Sequence, residues 1–284
     1  MSILGQGCID AALLDAYHAL GIRYLSTRTI GYDHIDLDHA RSIGLRVCSA
    51  SYASNGVADF TVMMILMCLR HYKQALWRGQ VNDFSLTGLQ GREMKDLTIG
   101  IIGTGRIGAQ VVRNLSGFGC RILAYDLRRN PAVEPQVTYV DFDTLLAQSD
   151  VITLHMPLLD SNRHIINRES VAKMRDGVVI VNCSRGELAD IEALIEGIET
   201  GKIGALGMDT VEGDEGIIHA DHRVDILPNR NWFYLHQFRN VIMTQHMAFY
   251  TDAAVSSMVD CGIGGICQMA AGESYPTELT GPVQ

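Results

Sequence analysis

The sequence predicts an α/β protein built on a doubly wound parallel sheet. From Leu97 onward, short apolar segments rich in β-branched residues alternate with segments of helical periodicity. These apolar segments show little polar alternation, which is typical of strands buried on both faces of a sheet. A glycine-rich turn joins the first strand to its helix, as in open parallel sheets that bind nucleotides. The three observations together favour a Rossmann-type domain with helices on both faces.

The elements of this sheet follow one another in regular order. The predicted strands are LTIGIIG, RILAYD, VITLHMP, VVIVNCS, IGALGMDT and NVIMTQH. The intervening helices are predicted from RIGAQVVRNLSGFG, DFDTLLAQSD, NRESVAKMRDG and DIEALIEGIETGK. Glycine ends the first helix at Gly119, and Pro157 stops the third strand. Residues 212–239, rich in charged and aromatic side chains, are predicted to form an irregular surface excursion.

The chain outside this region is predicted to repeat the alternation on a smaller scale. AALLDAYHALG, IRYLSTRT, DLDHARSIG and LRVCSAS are interpreted as helix, strand, helix and strand, with glycine stops at Gly21 and Gly44. A single long helix is predicted from Asn55 to about Gln80. A last helix is predicted from Thr251 to about Ala271.

Composition and charge exclude several classes of partner. The chain has 284 residues, of which 47% are hydrophobic, and a net charge of −9. Such an acidic protein has no general attraction for nucleic acid or anionic lipid. The start MSILGQGCID lacks the basic region and apolar stretch of a signal peptide, and the apolar run Val62–Leu69 is too short to span a bilayer. We therefore expect neither a nucleic-acid nor a membrane partner.

The seven cysteines suggest neither a disulfide framework nor a metal site. Their number is odd, no C-x-x-C pair occurs, and the spacing of Cys261 and Cys267 matches no common zinc pattern. Most of them lie in apolar segments and are interpreted as small core residues. We expect no bound metal and a reducing, cytoplasmic location.

A dinucleotide-binding motif lies directly after the strand LTIGIIG. Its residues form the pattern GxGxxG: Gly103, Thr104, Gly105, Arg106, Ile107 and Gly108. The first glycine permits a tight turn, the second lets the backbone approach a pyrophosphate, and the third allows close packing of helix on strand. The helix N-terminus would then lie at the phosphates.

The acid at the end of the next strand favours NAD over NADP. Asp126 can accept hydrogen bonds from the ribose hydroxyls, and its charge would repel a 2′-phosphate. Arg128 and Arg129 follow it and could instead bind that phosphate. We prefer to interpret both arginines as a solvated loop, with NAD as the expected cofactor.

Three polar groups follow neighbouring predicted strands, where ligands of open α/β sheets bind. Arg185 follows VVIVNCS, Asp214 and Glu215 follow IGALGMDT, and His246 ends NVIMTQH. Reduction of a 2-oxo acid needs a cation for the carboxylate, a proton donor for the carbonyl oxygen and an acid that keeps the donor charged. Arginine suits the first task and histidine the second. Taken singly, each residue could equally be an ordinary surface or strand-end residue.

At these residues the chain resembles the D-isomer-specific 2-hydroxyacid dehydrogenases over nearly its whole length. The segments that carry the resemblance are TRTIGYDHIDL, GIIGTGRIGAQVVRNLSGFGCRILAYD, VITLHMPL, NCSRGELAD, MDTVEGDEG and TQHMAFYT. The excursion after MDTVEGDEG and the ending AFYT are most similar to the branch of D-lactate dehydrogenase and D-2-hydroxyisocaproate dehydrogenase.

The resemblance implies catalytic roles for three residues. Arg185 would bind and polarise the substrate, and His246 would act as general acid in reduction and general base in oxidation. The position of the catalytic acid falls on Asp214, where the family normally has glutamate, and Glu215 is the alternative. Gln245 is a second departure, since proline usually precedes the histidine.

The resemblance also implies a set of binding residues. Asp209 would hold the nicotinamide amide, and His155, Pro157 and Cys183 would line the cofactor cleft. Ile30 and Gly31 would offer backbone amides to the substrate carboxylate. Tyr52 and Phe249 are candidates for the pocket around the substrate side chain, with a role as hinge or core aromatics equally open.

The expected architecture has two domains. A dinucleotide-binding domain of residues 54–247 would be inserted into a smaller flavodoxin-like substrate domain of residues 1–53 and 248–284, with the active site in the cleft between them. Relatives usually begin with two more βα units, of order 50 residues. Here the chain starts at what resembles the third strand, SILGQG, so we expect an exposed sheet edge there. A truncated product, a cut chain or a natural form with a covering partner would each account for it.

These expectations combine into one function. NADH would deliver hydride to C2 of a small 2-oxo acid while protonated His246 supplies a proton, giving a D-2-hydroxy acid. The long helix after Tyr52 would contribute to a homodimer. The alternative function is a non-catalytic NAD-binding sensor or interaction protein derived from the same fold.

Overall fold

The computed structural model describes residues 1–4, 7–227 and 229–281. The predicted segment SILGQG includes positions 5 and 6, which lie outside the described residues. The chain divides into two compact units: Met1–Ala53 with Tyr250–Gln284, and Ser54–Phe249. The second boundary follows Phe249, whereas the sequence analysis put it after residue 247.

The described residues contain ten strands and ten α-helices. The strands are β1 Ser2–Ile3, β2 Tyr24–Thr27, β3 Arg46–Cys48, β4 Thr98–Ile102, β5 Arg121–Tyr125, β6 Thr138–Tyr139, β7 Val151–Leu154, β8 Val178–Asn182, β9 Ile203–Met208 and β10 Val241–Met243. The helices are α1 Ala11–Ala19, α2 Leu37–Ser42, α3 Asn55–Leu69, α4 Tyr72–Gln80, α5 Arg106–Ser116, α6 Phe142–Gln148, α7 Arg168–Lys173, α8 Ile191–Glu199, α9 Arg230–His236 and α10 Asp252–Ala270.

The smaller unit is a three-stranded parallel sheet in the order β1-β2-β3, with helices packed on it. Its apolar core contains Leu14, Leu25 and Val47, all fully buried. By length and composition alone α10 could cross a membrane, the one helix in the described part of the chain of which this holds. Its buried residues recur along one stripe: Ala254, Met258, Gly262, Gly265 and Met269. Since α10 contacts β1, β2 and β3, this stripe fits a core helix of the unit.

A buried ion pair holds the C-terminal segment against this sheet. The guanidinium of Arg46 donates from Nε and Nη2 to the two carboxylate oxygens of Glu278, at 2.7 and 2.8 Å. The side chains are 9% and 4% exposed, so both charges depend on this contact. Arg46 also donates to the carbonyl oxygens of Met269 and Glu273. A single side chain therefore joins β3, the end of α10 and the C-terminal segment.

The larger unit is a seven-stranded, entirely parallel sheet in the order β10-β9-β8-β7-β4-β5-β6. This confirms the predicted doubly wound α/β sheet. All residues of β4, β7 and β8 are buried, which explains why those segments lack polar alternation. The strand order reverses between β4 and β7. In open α/β sheets ligands bind at the carboxyl ends of the strands beside such a reversal.

The long helix predicted from Asn55 to Gln80 is wrong as a single element. Helix α3 ends at Leu69 and α4 begins at Tyr72, because His71 between them takes a left-handed backbone with φ of +50°. The carbonyl of Leu69 accepts instead from the backbone N–H of Arg92, at 3.1 Å. Contacts made by a distant loop thus end the helix where the local sequence does not.

The sequence analysis also missed two short elements. The edge strand β6 has only two residues, too few for an alternation pattern to register. Helix α9 lies within the stretch expected to be irregular. Asn229 caps it by accepting from Trp232 N–H at 3.1 Å, and Leu235 is its buried anchor. One buried side chain per seven residues gives no helical periodicity to read.

Candidate active site

The glycine-rich turn between β4 and α5 has the shape that a pyrophosphate requires. Gly103 has φ of +93°, and a Cβ on it would lie 2.7 Å from the carbonyl oxygen of His155. A Cβ on Gly108 would collide with the carbonyl oxygen of Gly103. A Cβ on Gly105 would meet no atom of the described residues within 4 Å. Gly103 and Gly108 therefore allow close packing, while Gly105 borders open space at the N-terminus of α5.

Asp126 is tied to this turn by hydrogen bonds. Its Oδ2 accepts from the backbone N–H of Thr104 at 2.6 Å and from the Thr104 hydroxyl at 3.1 Å. Its Oδ1 accepts from the backbone N–H of Arg128, whose side chain is exposed. The guanidinium of Arg129 lies 5.5 Å from the ring centroid of Tyr139. The turn thus carries a fixed carboxylate, with Arg129 stacked on an aromatic ring.

His155, at the end of β7, has a buried nitrogen without a partner among the described residues. Its Nε2 lies 3.0 Å from the Thr153 hydroxyl, while no described group bonds Nδ1. Burial lowers the pKa of the imidazole to about 3, so the ring is neutral. A residue that packs on Gly103 and Gly108 and has an unpartnered buried nitrogen fits a site that a bound cofactor completes.

Two further residues of the predicted cofactor cleft differ in exposure. Pro157 is exposed, and its carbonyl accepts from the side-chain amide of Asn162 at 2.8 Å. Cys183 follows β8 and is buried, which raises the pKa of its thiol, and the Thr61 hydroxyl is hydrogen-bonded to it. Cys183 is thus a neutral residue packed toward α3 rather than a reactive thiol.

Arg185 begins the turn that follows β8. The side-chain amide of Asn182 donates to its carbonyl oxygen at 2.7 Å, and its own Nη1 donates to the carbonyl of Ser184. The next residue, Gly186, lies against the loop after β9: a Cβ there would fall 2.5 Å from both Val211 O and Glu212 N. The glycine of the predicted arginine motif therefore brings the backbone of the Arg185 turn into contact with the loop of the predicted acid.

Asp214 lies in a loop that we call the acid loop, residues 211–219. Its Oδ2 accepts from the backbone N–H of Val211 at 3.2 Å. Burial, the largest cause, and the neighbouring carboxylates of Glu187 and Asp209 raise the pKa of Asp214 to about 6, although the Val211 N–H and His219 act to lower it. The neighbouring Glu215 is exposed.

Hydrogen bonds from two other segments anchor the beginning of the acid loop. Glu212 accepts from Nε2 of His164 at 2.6 Å and from Arg163 at 3.2 Å. The carbonyl of Gly213 accepts from the side-chain amide of Asn229 at 2.9 Å. The first residues of the predicted excursion are therefore held in place next to Asp214.

His246 is held through the carboxylate of Asp209, which is 1% exposed at the end of β9. Asp209 accepts from the Thr244 hydroxyl at 2.6 Å and from the backbone N–H groups of Met247 and Ala248 at 2.9 and 2.8 Å. Between these donors His246 adopts a left-handed backbone with φ of +52°. Non-glycine residues hold such a conformation only where the surroundings impose it, commonly at functional sites.

Phe249 completes a cluster of rings around His246. The centroids of His246 and Phe249 are 6.2 Å apart and their planes are nearly perpendicular. The ring centroid of His219 lies 6.2 Å from that of His246 and 6.5 Å from that of Phe249. The candidate pocket residue Phe249 is thus an immediate neighbour of the histidine.

The other candidate substrate residues belong to the smaller unit. Ile30 and Gly31 follow β2, and the Thr29 hydroxyl donates to the Gly31 carbonyl at 2.6 Å, which fixes the turn. Tyr52 follows β3 and is half-buried. All three therefore follow strands at the carboxyl end of the small parallel sheet. The backbone amides of Ile30 and Gly31 remain candidates for the substrate carboxylate, and Tyr52 remains a candidate for the pocket around the substrate side chain.

Sequence reasoning did not identify His219, Glu187 or the clamp on Glu212 by His164. Their contacts join segments far apart in the chain. The one available signal was the short separation between His219 and Asp214, which spacing alone does not distinguish from a surface histidine.

The larger unit is a Rossmann sheet with a dinucleotide turn. An arginine, a half-buried carboxyl group and a histidine follow neighbouring strands of this sheet. Together these features define a nicotinamide-linked oxidoreductase. Residues 62–248 match the family model described as D-isomer specific 2-hydroxyacid dehydrogenase, NAD binding domain. An aromatic 2-oxoacid reductase of Clostridium sporogenes is 42% identical over 262 residues, covering 92% of this chain and 79% of the relative.

Solved structures agree with the sequence matches. The pyruvate reductase of Chlamydomonas reinhardtii superposes with a TM-score of 0.90 at 36% identity, over 97% of this chain and 84% of that one. A D-lactate dehydrogenase with NAD⁺ from Lactobacillus jensenii gives 0.84 at 32% identity, over 98% and 85%.

The chain belongs to the D-isomer specific 2-hydroxyacid dehydrogenase family, in its D-lactate dehydrogenase branch. It is an NAD-dependent enzyme that interconverts 2-oxo acids and D-2-hydroxy acids. These findings confirm the predicted family, cofactor and reaction over the non-catalytic alternative.

Proposed function

We propose that Arg185, Asp214 and His246 carry out the reduction of the 2-oxo acid in this enzyme. Arg185 binds the carboxylate and polarises the carbonyl, and protonated His246 donates a proton to the carbonyl oxygen. The observation that supports this most is the pinning of the His246 segment by Asp209 on the strand next to the acid loop. A histidine whose backbone is held in one conformation meets one requirement of general acid catalysis, a proton donor in a fixed position.

Asp214 rather than Glu215 is proposed as the acid partner of His246. Asp214 is half-buried and accepts a hydrogen bond from Val211, and its pKa is raised to about 6, chiefly by burial. Glu215 is exposed to solvent. Above a pH of about 6 Asp214 is ionised and stabilises the charged imidazole. As the pH falls through that value the carboxyl takes up a proton, and this support is lost.

The described residues fit the expected NAD. The open space at Gly105, the N-terminus of α5 and the fixed Asp126 carboxylate suit a pyrophosphate and its ribose. The unpartnered Nδ1 of the buried His155 offers a further polar contact. When bound in its reduced form, the cofactor supplies the hydride that adds to C2 of the substrate. Asp209 is proposed as the residue nearest the nicotinamide amide.

The proposed substrates include 2-oxo acids with aromatic side chains. Phe249 presents an aromatic ring next to His246, and aromatic rings favour edge-on contacts with a substrate ring. The similarity to an aromatic 2-oxoacid reductase points the same way. We expect phenylpyruvate to be reduced with a higher kcat/KM than pyruvate.

The test is NADH oxidation followed by absorbance with pyruvate, phenylpyruvate and 2-oxoisocaproate. Turnover should fall by about 100-fold or more in Asp214→Asn and His246→Gln, while Glu215→Gln, the matched control, stays within about 2-fold of wild type. Strong loss in Glu215→Gln with an active Asp214→Asn would show that the acid is misassigned. Binding of NADH without turnover of any substrate would contradict the proposed function itself.

We further propose that the enzyme is a homodimer formed through α4 and the loop after it. All nine residues of α4 are described and none is buried. Large apolar side chains on this surface are 51–83% exposed: Leu76, Trp77, Phe84 and Leu86. Such a patch is unusual on a monomer. Light scattering should show a dimer that Trp77→Glu converts to monomer, while Leu20→Glu, at an exposed leucine of the other unit, leaves it intact.

The proposed location is the cytoplasm. The support comes from the cysteines: their number is odd, and Cys48, Cys68 and Cys183 are buried as thiols. Fractionation of cells that express the protein tests this. Recovery of the enzyme outside the cytoplasm would contradict it.

A further inference from the structure

His219 is positioned against the main chain of the catalytic histidine. Its Nε2 lies 3.2 Å from the carbonyl oxygen of His246. A carbonyl oxygen can only accept, so Nε2 of His219 carries the proton and donates it. Both histidines have left-handed backbones, with φ of +63° and +52°. The contact therefore joins two residues whose conformations the surrounding structure imposes.

The same side chain lies at the end of the acid loop. Five residues before it, Asp214 accepts at its carbonyl from the backbone N–H groups of Ile217 and Ile218, at 3.0 and 3.2 Å, which closes a turn. The charge of His219 acts on the Asp214 carboxyl and opposes the effects of Glu187 and Asp209. His219 is therefore linked to both members of the proposed acid–histidine pair.

Other hydrogen bonds hold the beginning of the acid loop and the backbone that follows His246. Glu212 is held by His164 and Arg163, and Gly213 by Asn229. These bonds fix the beginning of the loop. The carboxylate of Asp209 accepts from the backbone N–H groups of Met247 and Ala248, which follow the histidine. His219 thus ties the end of the acid loop to the backbone of His246.

We propose that His219 is a positioning residue of the reduction: by donating to the His246 carbonyl it holds the catalytic histidine in register with Asp214. The inference rests on the proposed roles of His246 and Asp214. Removal of the side chain frees the His246 backbone and the end of the acid loop together. A misplacement of about 1 Å between proton donor and substrate can cost on the order of 100-fold in rate.

The experiment compares three variants by steady-state kinetics across pH. His219→Ala loses both the hydrogen bond and the charge, and its kcat should fall on the order of 10- to 100-fold with an NADH Kd close to wild type. His219→Gln keeps an amide donor at a similar reach and should recover to within about 3-fold of wild type in mildly alkaline buffer. The matched control is His222→Gln, in the same segment, whose ring pairs with Asp225 instead and which should behave as wild type.

The pH profile tests the electrostatic link between His219 and Asp214, which a purely structural role would leave unchanged. Both His219 variants remove a cation that favours the ionised Asp214, against the opposing charges of Glu187 and Asp209. The acid limb of kcat/KM should therefore move to higher pH in His219→Gln as well as in His219→Ala. A structural role alone would lower the thermal midpoint and leave the position of this limb unchanged.

Each outcome decides the proposal. If His219→Ala turns over within about 2-fold of wild type while Asp214→Asn and His246→Gln are inactive, the positioning role is refuted and the proposed function stands. If wild type reduces none of the substrates, the proposed function fails and this inference with it. If His219→Ala does not fold, His219→Met, which fills a similar volume without a donor, takes its place: kcat within about 2-fold of wild type refutes the role, and a loss that His219→Gln does not show supports it.

Discussion

Replacement of the proposed catalytic acid should make this protein more stable while it stops the reaction. Asp214 has an ordinary pKa of 3.8, and burial raises it to about 6 in the folded protein. The folded state therefore binds the proton more tightly than the unfolded chain. Stability from this group is fully present below pH 3.8, and it declines as the pH rises through about 6.

The size of the effect follows from the shift of roughly two pKa units. At about 1.4 kcal/mol per unit, the ionised carboxyl lowers the free energy of unfolding by at most about 3 kcal/mol above that range. Asparagine has the same shape, keeps an oxygen for the Val211 N–H and cannot ionise. Asp214→Asn should thus gain about 1 to 3 kcal/mol in mildly alkaline buffer and almost nothing in acid.

The assay is thermal unfolding of wild type and Asp214→Asn by circular dichroism at several pH values. For a unit of this size each kcal/mol raises the Tm by roughly 2 to 4 °C. The difference should therefore open from near zero at low pH to several degrees above neutrality. Glu215→Gln, at the exposed neighbouring acid, is the control and should show no such trend. A Tm of Asp214→Asn that stays equal to or below wild type at alkaline pH would refute the argument.

Four other substitutions test the packing around the site, in the glycine-rich turn and in the smaller unit. Asp209→Asn should lower kcat and reduce the free energy of unfolding by about 2 to 4 kcal/mol. The reason is that a buried amide cannot accept all three hydrogen bonds from Thr244, Met247 and Ala248. An unchanged Tm would contradict this. Gly105→Ala should weaken NADH binding by about 10-fold or more, measured by NADH fluorescence titration, and leave the Tm unchanged, because its Cβ would enter only the open space at the turn. Gly108→Ala should lower the Tm measured by calorimetry, because its Cβ would collide with the Gly103 carbonyl. Glu278→Gln should destabilise the smaller unit by about 3 to 5 kcal/mol because it leaves Arg46 charged and buried; denaturant unfolding that matches wild type would speak against it.

The chemistry-bearing residues could be predicted because their motifs are local. Gly103, Gly105 and Gly108 lie within one turn, and the strand and helix on either side are readable from periodicity. Arg185 follows, and His246 ends, a short segment that the strand–helix alternation of the chain predicts to be a strand. Parallel strands end at a common edge, so position along the chain already implies a shared edge of the sheet.

The break between α3 and α4 could not be predicted in this way. The residues from Asn55 to Gln80 are compatible with one helix, and the competing contact is supplied by Arg92, well beyond it. Helix α9 failed for the related reason that it has a single buried side chain. Local sequence predicts an element when its periodic apolar residues are the ones that become buried. The break after α3 depends instead on a distant residue, and α9 has too few buried residues to show a period.

The sequence by itself determined the parallel sheet, the dinucleotide turn and the identity of the residues that do the chemistry, because each depends on neighbours within a few positions. The tertiary structure decided which of two adjacent acids is half-buried, and it placed His219 on the carbonyl of His246. Burial and long-range hydrogen bonds depend on segments that meet only after folding. That is why Asp214 and Glu215 look alike along the chain and differ in the folded protein.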